Sequence, residues 1–217
     1  MEIKLYVEGG GKGSHKRATI KLQQGFDAFF RDLKNAAREK KISFKIIPSS
    51  NTQTTYEDFL ISVRNSPQSF NLLLVDSDEA VAEDETACDF LQKKYRKWKL
   101  KTIKDEQCHL MVQIMESWFL ADIDALKSFY CKEFKESAIP KRKNVETIAK
   151  DTVEKSLTAA TAKTQKAKYH KIEYGARLLE TINPNKVRVA VPHCEKLFTA
   201  LANVLKQTFI AVNFFDI

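Results

Sequence analysis

The chain has 217 residues, of which 43% are hydrophobic and 29% charged, a composition that excludes a disordered chain and fits one domain with an elaboration. Lys and Arg number 36 against 28 Asp and Glu, and the net charge of +8 favours nucleic acid or another polyanion as a partner. No apolar leader precedes the first predicted strand and no apolar run could span a membrane, so we expect a cytoplasmic protein without membrane contact.

Strand and helix patterns alternate through the first part of the chain. Apolar runs predict four strands, at residues 3–8, 44–47, 72–76 and 110–115. Helical spacing of apolar residues predicts helices between and after them, over residues 19–40, 56–63, 87–98 and 118–130. This alternation predicts right-handed βαβ units and an α/β fold, with a doubly wound, mainly parallel sheet over residues 1–130.

The remainder, residues 131–217, reads as a mostly helical extension packed on the sheet. Helices are predicted within residues 145–153, 176–182 and 192–205, the last beginning at Pro192, because proline is favoured in a first helical turn. Residues 187–191 and 209–214 are predicted as short strands or extended segments. The four cysteines, at 88, 108, 131 and 194, lack CxxC spacing, which favours free thiols over a zinc site or disulfides.

Acidic residues stand where predicted strands end. Glu8 ends the first strand, Asp76 and Asp78 end the third, and Glu116 follows the fourth. In an open parallel sheet these ends share one crevice, where ligands bind. Clustered carboxylates repel one another unless a cation lies among them, and hard oxygen donors suit Mg²⁺ or Mn²⁺. We therefore expect a divalent metal site formed by all four residues.

Each of these acidic residues also has an alternative interpretation. Asp76 and Asp78, separated by Ser77, could cap a following helix, although their position at a strand end favours the metal. Glu8 could bind metal or act as a general base. Glu116 could complete the metal shell or complement a helix dipole. Trp118, two residues later, is interpreted as core packing rather than a base-stacking surface.

Glycines and basic residues supply candidate phosphate contacts. Gly9 and Gly10 allow the backbone to approach phosphate closely, although no Walker A motif follows them. The basic candidates for contact with phosphate or nucleic acid are Lys12, Lys16, Arg17, Lys141, Arg142, Lys143, Lys168 and Lys171. The alternative for each is a solvated surface position.

Two family resemblances rest on these motifs. Glu8-Gly9 after the first strand, with Asp76-Ser77-Asp78 after a middle strand, resembles the Toprim domain of topoisomerases, primases and OLD-family nucleases. More closely, the chain from Leu5 to about Leu205 is similar to a bacterial family, domain-of-unknown-function family 4276. The motifs that carry the second resemblance are residues 7–11, 73–77, 109–112, 115–122 and 145–150.

The resemblance implies a Toprim-like fold in which Glu8, Asp76 and Asp78 bind metal and catalyse the reaction. It also implies a neighbouring ATPase partner of the kind found in anti-phage systems. We therefore expect a Mg²⁺- or Mn²⁺-dependent nuclease that hydrolyses DNA or RNA phosphodiesters. The alternatives are a non-catalytic module that binds an ATPase or nucleic acid, and a phosphotransferase or phosphatase with an aspartate nucleophile.

Overall fold

Four strands form one all-parallel sheet in a computed structural model that describes residues 1–9 and 16–213, without the side chains of residues 16 and 207–213. The strand order is β2-β1-β3-β4. The strands are β1 (Glu2–Glu8), β2 (Ser43–Ser49), β3 (Phe70–Asp76) and β4 (Cys108–Met111). This sheet, with helices between and after the strands, confirms the predicted α/β class and the parallel pairing.

Ten α-helices and three short 3₁₀ helices accompany the sheet in the described part of the chain. The first six are α1 (Lys16–Phe29), α2 (Arg31–Glu39), α3 (Thr52–Asn65), α4 (Ala87–Lys94), α5 (Ser117–Leu120) and α6 (Ile123–Tyr130). The last four are α7 (Lys150–Thr161), α8 (Lys171–Leu179), α9 (Pro184–Ala190) and α10 (Pro192–Asn213). Within this described part, no helix combines the length and apolar character needed to cross a bilayer.

The alternation of side chains along β1 and β3 creates a core on each face of the sheet. Leu5 and Leu72 belong to one core, which also includes residues of α1, α2 and the helices after β4. Tyr6 and Leu73 belong to the other, which includes residues of α3 and α4. Helices therefore cover both faces, as in a doubly wound fold.

Residues before and after position 130 both contribute to the core that contains Leu5 and Leu72, which is the larger of the two. Phe29 in α1 stacks on Trp118 in α5, with ring centroids 5.0 Å apart, and meets Phe198 in α10 edge to face at 5.8 Å. Trp118 is fully buried, as the core-packing interpretation predicted. No strand occurs between residues 131 and 213, so this part is helical as expected, while its separation as a second unit stays a prediction.

The predicted end of the fourth strand is wrong. β4 stops at Met111, not Met115, because its neighbour β3 stops at Asp76, which pairs with Met111. The next residues bond to the segment after β3 instead. Ser77 N donates to Met111 O (3.1 Å) and Asp78 N donates to Gln113 O (2.7 Å). Glu116 therefore lies at the start of α5 rather than directly at a strand end.

Two helix predictions and two predictions of strand or extended segments also need correction. The helix predicted over 19–40 is divided into α1 and α2 at Phe30. The helix predicted over 118–130 is divided into α5 and α6, because the Asp122 side chain accepts a hydrogen bond from Ala125 N and caps the start of α6. Residues 187–191 are not a strand. The helix α9 begins at Pro184, after the Asn183 cap, and continues to Ala190. Residues 209–213 belong to α10, and Phe214 lies outside the described residues.

Candidate functional site

Glu8 and Asp76 meet where β1 and β3 end side by side. Glu8 Oε2 accepts a hydrogen bond from Asp76 N (3.2 Å), and Glu8 Oε1 accepts one from the Thr52 hydroxyl (2.8 Å) at the start of α3. Asp76 Oδ1 accepts from Met115 N (2.9 Å). These bonds fix both carboxylates at the carboxyl edge of the sheet, where the sequence predicted a ligand crevice.

Glu116 joins them from the start of α5. It is 2% exposed, and its Oε1 accepts a hydrogen bond from the Tyr169 hydroxyl at 2.9 Å. Its Oε2 is 3.3 Å from Lys171 Nζ, an ion pair outside hydrogen-bond geometry, and has no hydrogen-bond partner among the described residues. Lys171 Nζ also lies 3.4 Å from Asp76 Oδ2, so one ammonium is shared between two buried carboxylates.

The electrostatics of this cluster are unfavourable for negative charge. Burial is the largest effect that raises the pKa of Asp76, to about 7, and the charges of Glu116 and Glu8 add to it while Lys171 opposes it. Burial likewise raises the pKa of Glu8, against its hydrogen bonds from Thr52 and Asp76 N. Three carboxylates with one ammonium form a cluster that further positive charge would stabilise.

A cavity of about 600 Å³ opens beside the cluster. Its wall includes Glu8, Gly9, Asp76, Glu116, Tyr169 and Lys171. A cavity of this size, with several converging charged groups, matches the usual character of a binding or active site. Three other cavities in the described part of the chain, of about 460, 490 and 550 Å³, are smaller.

Asp78 takes a different position from the one predicted. Its Oδ1 is 2.6 Å from Lys150 Nζ and its Oδ2 is 3.4 Å from Lys94 Nζ, and it does not line the carboxylate cavity. Burial alone would raise the pKa of Asp78, but the hydrogen bond and charge of Lys150, with Lys94, lower it below its ordinary value. Asp78 remains close enough to Glu8 for its charge to raise the Glu8 pKa.

The predicted phosphate contacts are dispersed. Gly9 lines the carboxylate cavity, whereas Gly10, Lys12 and the side chain of Lys16 lie outside the described residues. Arg17 and Lys168 are exposed and do not line that cavity. The remaining loop cluster, Lys141, Arg142 and Lys143, lines a separate hollow of about 490 Å³.

Lys171, which was predicted as a phosphate contact, lines the carboxylate cavity and pairs with Asp76 and Glu116. Sequence reasoning missed the neighbours that orient the site. Thr52 bonds Glu8, Tyr169 bonds Glu116, and Lys150 pairs with Asp78. Each bond joins residues at least 44 positions apart, so no local spacing marks them. The Lys150 segment was part of the family resemblance, the one signal that points to it.

The donor chemistry of the cluster suits a hard divalent cation, because Glu8, Asp76 and Glu116 offer only carboxylate oxygens. Glu116 Oε2 accepts no hydrogen bond within the described part of the chain and is paired with Lys171. In their present arrangement, however, no three acidic, histidine or cysteine side chains of the described residues form a group that could hold a metal ion. Lys171 supplies the positive charge between Asp76 and Glu116.

Replacing Lys171 with methionine should destabilise the protein at alkaline pH. Breaking a fully buried ion pair costs about 3–5 kcal/mol, and we expect about 2 kcal/mol because the Lys171 side chain is 50% exposed and partly screened. A carboxyl group whose pKa is raised in the folded state makes the protein less stable as the pH rises through that pKa. The Asp76 pKa of about 7 should rise further without Lys171, because Lys171 lowers it. Urea unfolding should therefore show a small difference from wild type at pH 6 and a larger one at pH 8.5.

Mn²⁺ should restore part of the stability lost in Lys171→Met, giving a larger rise in Tm than in wild type, since ligand binding to the folded state stabilises it. Lys168→Met is the matched control, because Lys168 is exposed three residues away. Identical unfolding of the two variants at pH 8.5 would contradict the assigned role of Lys171.

The fold and the site define an α/β protein with an acidic cavity at the carboxyl ends of adjacent parallel strands. The chain belongs to the family described as Domain of unknown function (DUF4276), which matches residues 7–202. This match confirms the predicted family. No curated protein and no solved structure is significantly similar to the chain.

Proposed function

We propose that the protein is a divalent-metal-dependent nuclease with a Toprim-like site that hydrolyses phosphodiesters of DNA or RNA. One observation carries the proposal: Glu8, Asp76 and Glu116 come from three separate segments to one cavity wall, with Lys171 as their shared cation. The raised pKa values of Glu8 and Asp76 support a site that gains from additional positive charge. The net charge of +8 supports a polyanionic substrate.

In this proposal Glu8, Asp76 and Glu116 hold Mg²⁺ or Mn²⁺, which supplies an activated water and offsets charge on the phosphodiester. Thr52 and Asp76 N orient Glu8, while Tyr169 orients Glu116. Lys171, released from the carboxylates, can donate to a phosphate oxygen. Gly9 lines the cavity and has no side chain, so the substrate backbone can approach the cavity wall closely at this position.

An ATPase partner belongs to the same proposal. It rests on the resemblance to OLD-type nucleases, and places the protein as the effector of an ATPase-coupled anti-phage system. The cleavage assay therefore needs a co-expressed neighbouring ATPase, because a nuclease of this kind can be silent alone.

The second candidate is a non-catalytic module that binds an ATPase or nucleic acid. Lys171 and the hydrogen bonds already compensate much of the negative charge of the carboxylates, which favours this candidate. In addition, no three side chains of the described residues form a group that could hold a metal ion as they stand. In that case the carboxylates are structural and stabilise the carboxyl edge of the sheet.

Incubation with plasmid, linear DNA and RNA should distinguish the two candidates. We expect cleavage in Mn²⁺ that EDTA abolishes, and a loss of at least about 100-fold in Glu8→Gln, because altering even an outer-shell partner of a metal ligand costs about 10–100-fold. Glu57→Gln, an exposed position on α3, is the matched control.

The contrary outcomes are equally specific. Cleavage at the wild-type rate by Glu8→Gln contradicts the proposed site. Absence of cleavage with and without the ATPase, together with no Mn²⁺-dependent rise in Tm, supports the non-catalytic module instead.

A further inference from the structure

A strongly basic segment links α4 to β4. Residues 93–104 include seven basic residues and no acidic one. Three of the seven pair with acidic neighbours; they are Lys93, Lys94 and Lys104. The other four are exposed and form no ion pair within the described part of the chain; they are Arg96, Lys97, Lys99 and Lys101. The segment therefore presents uncompensated positive charge to the solvent.

Aromatic packing holds this segment against the start of α3. The Trp98 ring stacks between Tyr56 and Tyr95, with ring centroids 3.9 Å and 4.3 Å away. Trp98 Nε1 donates a hydrogen bond to Gln53 Oε1 (2.9 Å), and Lys99 N donates one to the Tyr56 hydroxyl (2.5 Å). Because these contacts already order the backbone, a ligand of the segment does not have to order it on binding.

The same contacts place the segment beside the carboxylate cluster. The turn of α3 that binds Trp98 also contains Thr52, which donates to Glu8 at 2.8 Å. Burial is the largest effect that raises the pKa of Tyr95, and the nearby charges of Asp78 and Glu8 raise it further. The exposed cations on either side of Trp98 are thus neighbours of the carboxyl edge of the sheet, outside the wall of the carboxylate cavity.

The surroundings of these cations indicate which polyanion they suit. The carboxylates repel a phosphate, so a nucleic acid that reaches them gains from cations that hold its backbone next to the cavity. A lipid surface is a poorer match, because Trp98 and Leu100, the two apolar residues among residues 96–101, are buried and cannot insert between headgroups. The partner that fits is a chain with regularly repeated phosphates.

We propose that Arg96, Lys97 and Lys99 form a surface that binds the phosphate backbone of a nucleic acid beside the carboxylate cavity, and that Lys101 extends it. The guanidinium and ammonium groups donate to phosphate oxygens, contacts that position the strand without reading its sequence. This inference rests on the proposed nuclease function for the class of ligand. Binding at this surface needs no metal, so it can be measured separately from cleavage.

Fluorescence anisotropy with labelled single-stranded and double-stranded oligonucleotides in EDTA tests the surface. We expect the triple variant Arg96→Gln/Lys97→Gln/Lys99→Gln to bind at least about tenfold more weakly than wild type at low salt. The slope of log K against log salt concentration should become shallower by about 2 for the single strand and about 3 for the duplex, because each phosphate contact contributes about 0.7 and about 0.9 respectively. Circular dichroism checks that the variant is folded.

The matched control is Arg31→Gln/Arg38→Gln/Lys41→Gln, which removes the same charge from exposed positions on α2 and in the turn before β2. The strand β2 begins at the opposite edge of the sheet, so this variant should keep the affinity and the salt slope of wild type. If the triple variant of the basic segment does not fold, Lys97→Gln alone should still make the slope shallower by about 0.7–0.9.

Several results would overturn the surface: no binding of either oligonucleotide by wild type, an unchanged salt slope in the folded variants of the basic segment, an equal loss in the control, or equally tight binding of polyglutamate. The outcomes for binding and cleavage are distinguishable. Cleavage by wild type with unchanged binding in the variant overturns this inference alone. Binding that the variant loses, in a protein that does not cleave, supports the surface and contradicts only the nuclease.

Discussion

Asp76→Asn is expected to abolish Mn²⁺-dependent cleavage while the fold stays intact. Asp76 is 6% exposed and lies between Glu8, Glu116 and Lys171, so it is the central carboxylate of the proposed metal site. We expect a loss greater than about 100-fold, more than the 10–100-fold typical of outer-shell changes at metal sites. Asparagine keeps an oxygen to accept from Met115 N and removes a charge that burial disfavours, so urea unfolding should change by less than about 1 kcal/mol.

Asp78→Asn provides the critical comparison. The sequence placed Asp78 beside Asp76 as an equal ligand, but Lys150 and Lys94 hold it outside the cavity wall. We expect a loss of less than about tenfold, because its effect on the site is an electrostatic one on Glu8. Asp32→Asn, an exposed position on α2, controls for the change of charge. Full activity in Asp76→Asn with complete loss in Asp78→Asn would contradict the assignment.

Trp118→Ala should produce the largest loss of stability, about 3–5 kcal/mol. Trp118 is fully buried, stacks on Phe29 and meets Phe26 edge to face at 6.3 Å. Truncation to alanine would leave a cavity in the larger core. Urea unfolding followed by circular dichroism measures the change.

Trp118→Phe tests whether packing is the cause. Trp118 Nε1 is buried without a hydrogen-bond partner among the described residues, so phenylalanine removes an unsatisfied donor while retaining a ring. We expect it to cost clearly less than alanine. A loss below about 1 kcal/mol in Trp118→Ala would show that the core closes around the missing ring, contrary to this prediction. Trp118 also follows Glu116 by two residues, so the alanine variant should bind Mn²⁺ more weakly than Trp118→Phe.

The fold could be predicted from the sequence wherever local pattern was sufficient. The apolar runs that end at Glu8 and Asp76 identify strands, and their alternation with helices identifies a parallel sheet, because side-chain periodicity and short connections are local properties. The same reasoning extended β4 to Met115, since an apolar run does not reveal where the neighbouring strand ends. Residues 187–191 were misread because a short apolar segment suits either a strand or a helix.

By itself the sequence determined that carboxylates would stand at the ends of parallel strands, which places Glu8 and Asp76 together. Only the tertiary structure decided which other charges join them. Glu116 enters the cluster from α5, Asp78 turns to Lys150, and Lys171 reaches Asp76 across 95 residues of sequence. The physical reason is that burial and charge pairing are set by packing between distant segments, whereas the apolar runs that mark the strands are local in the sequence.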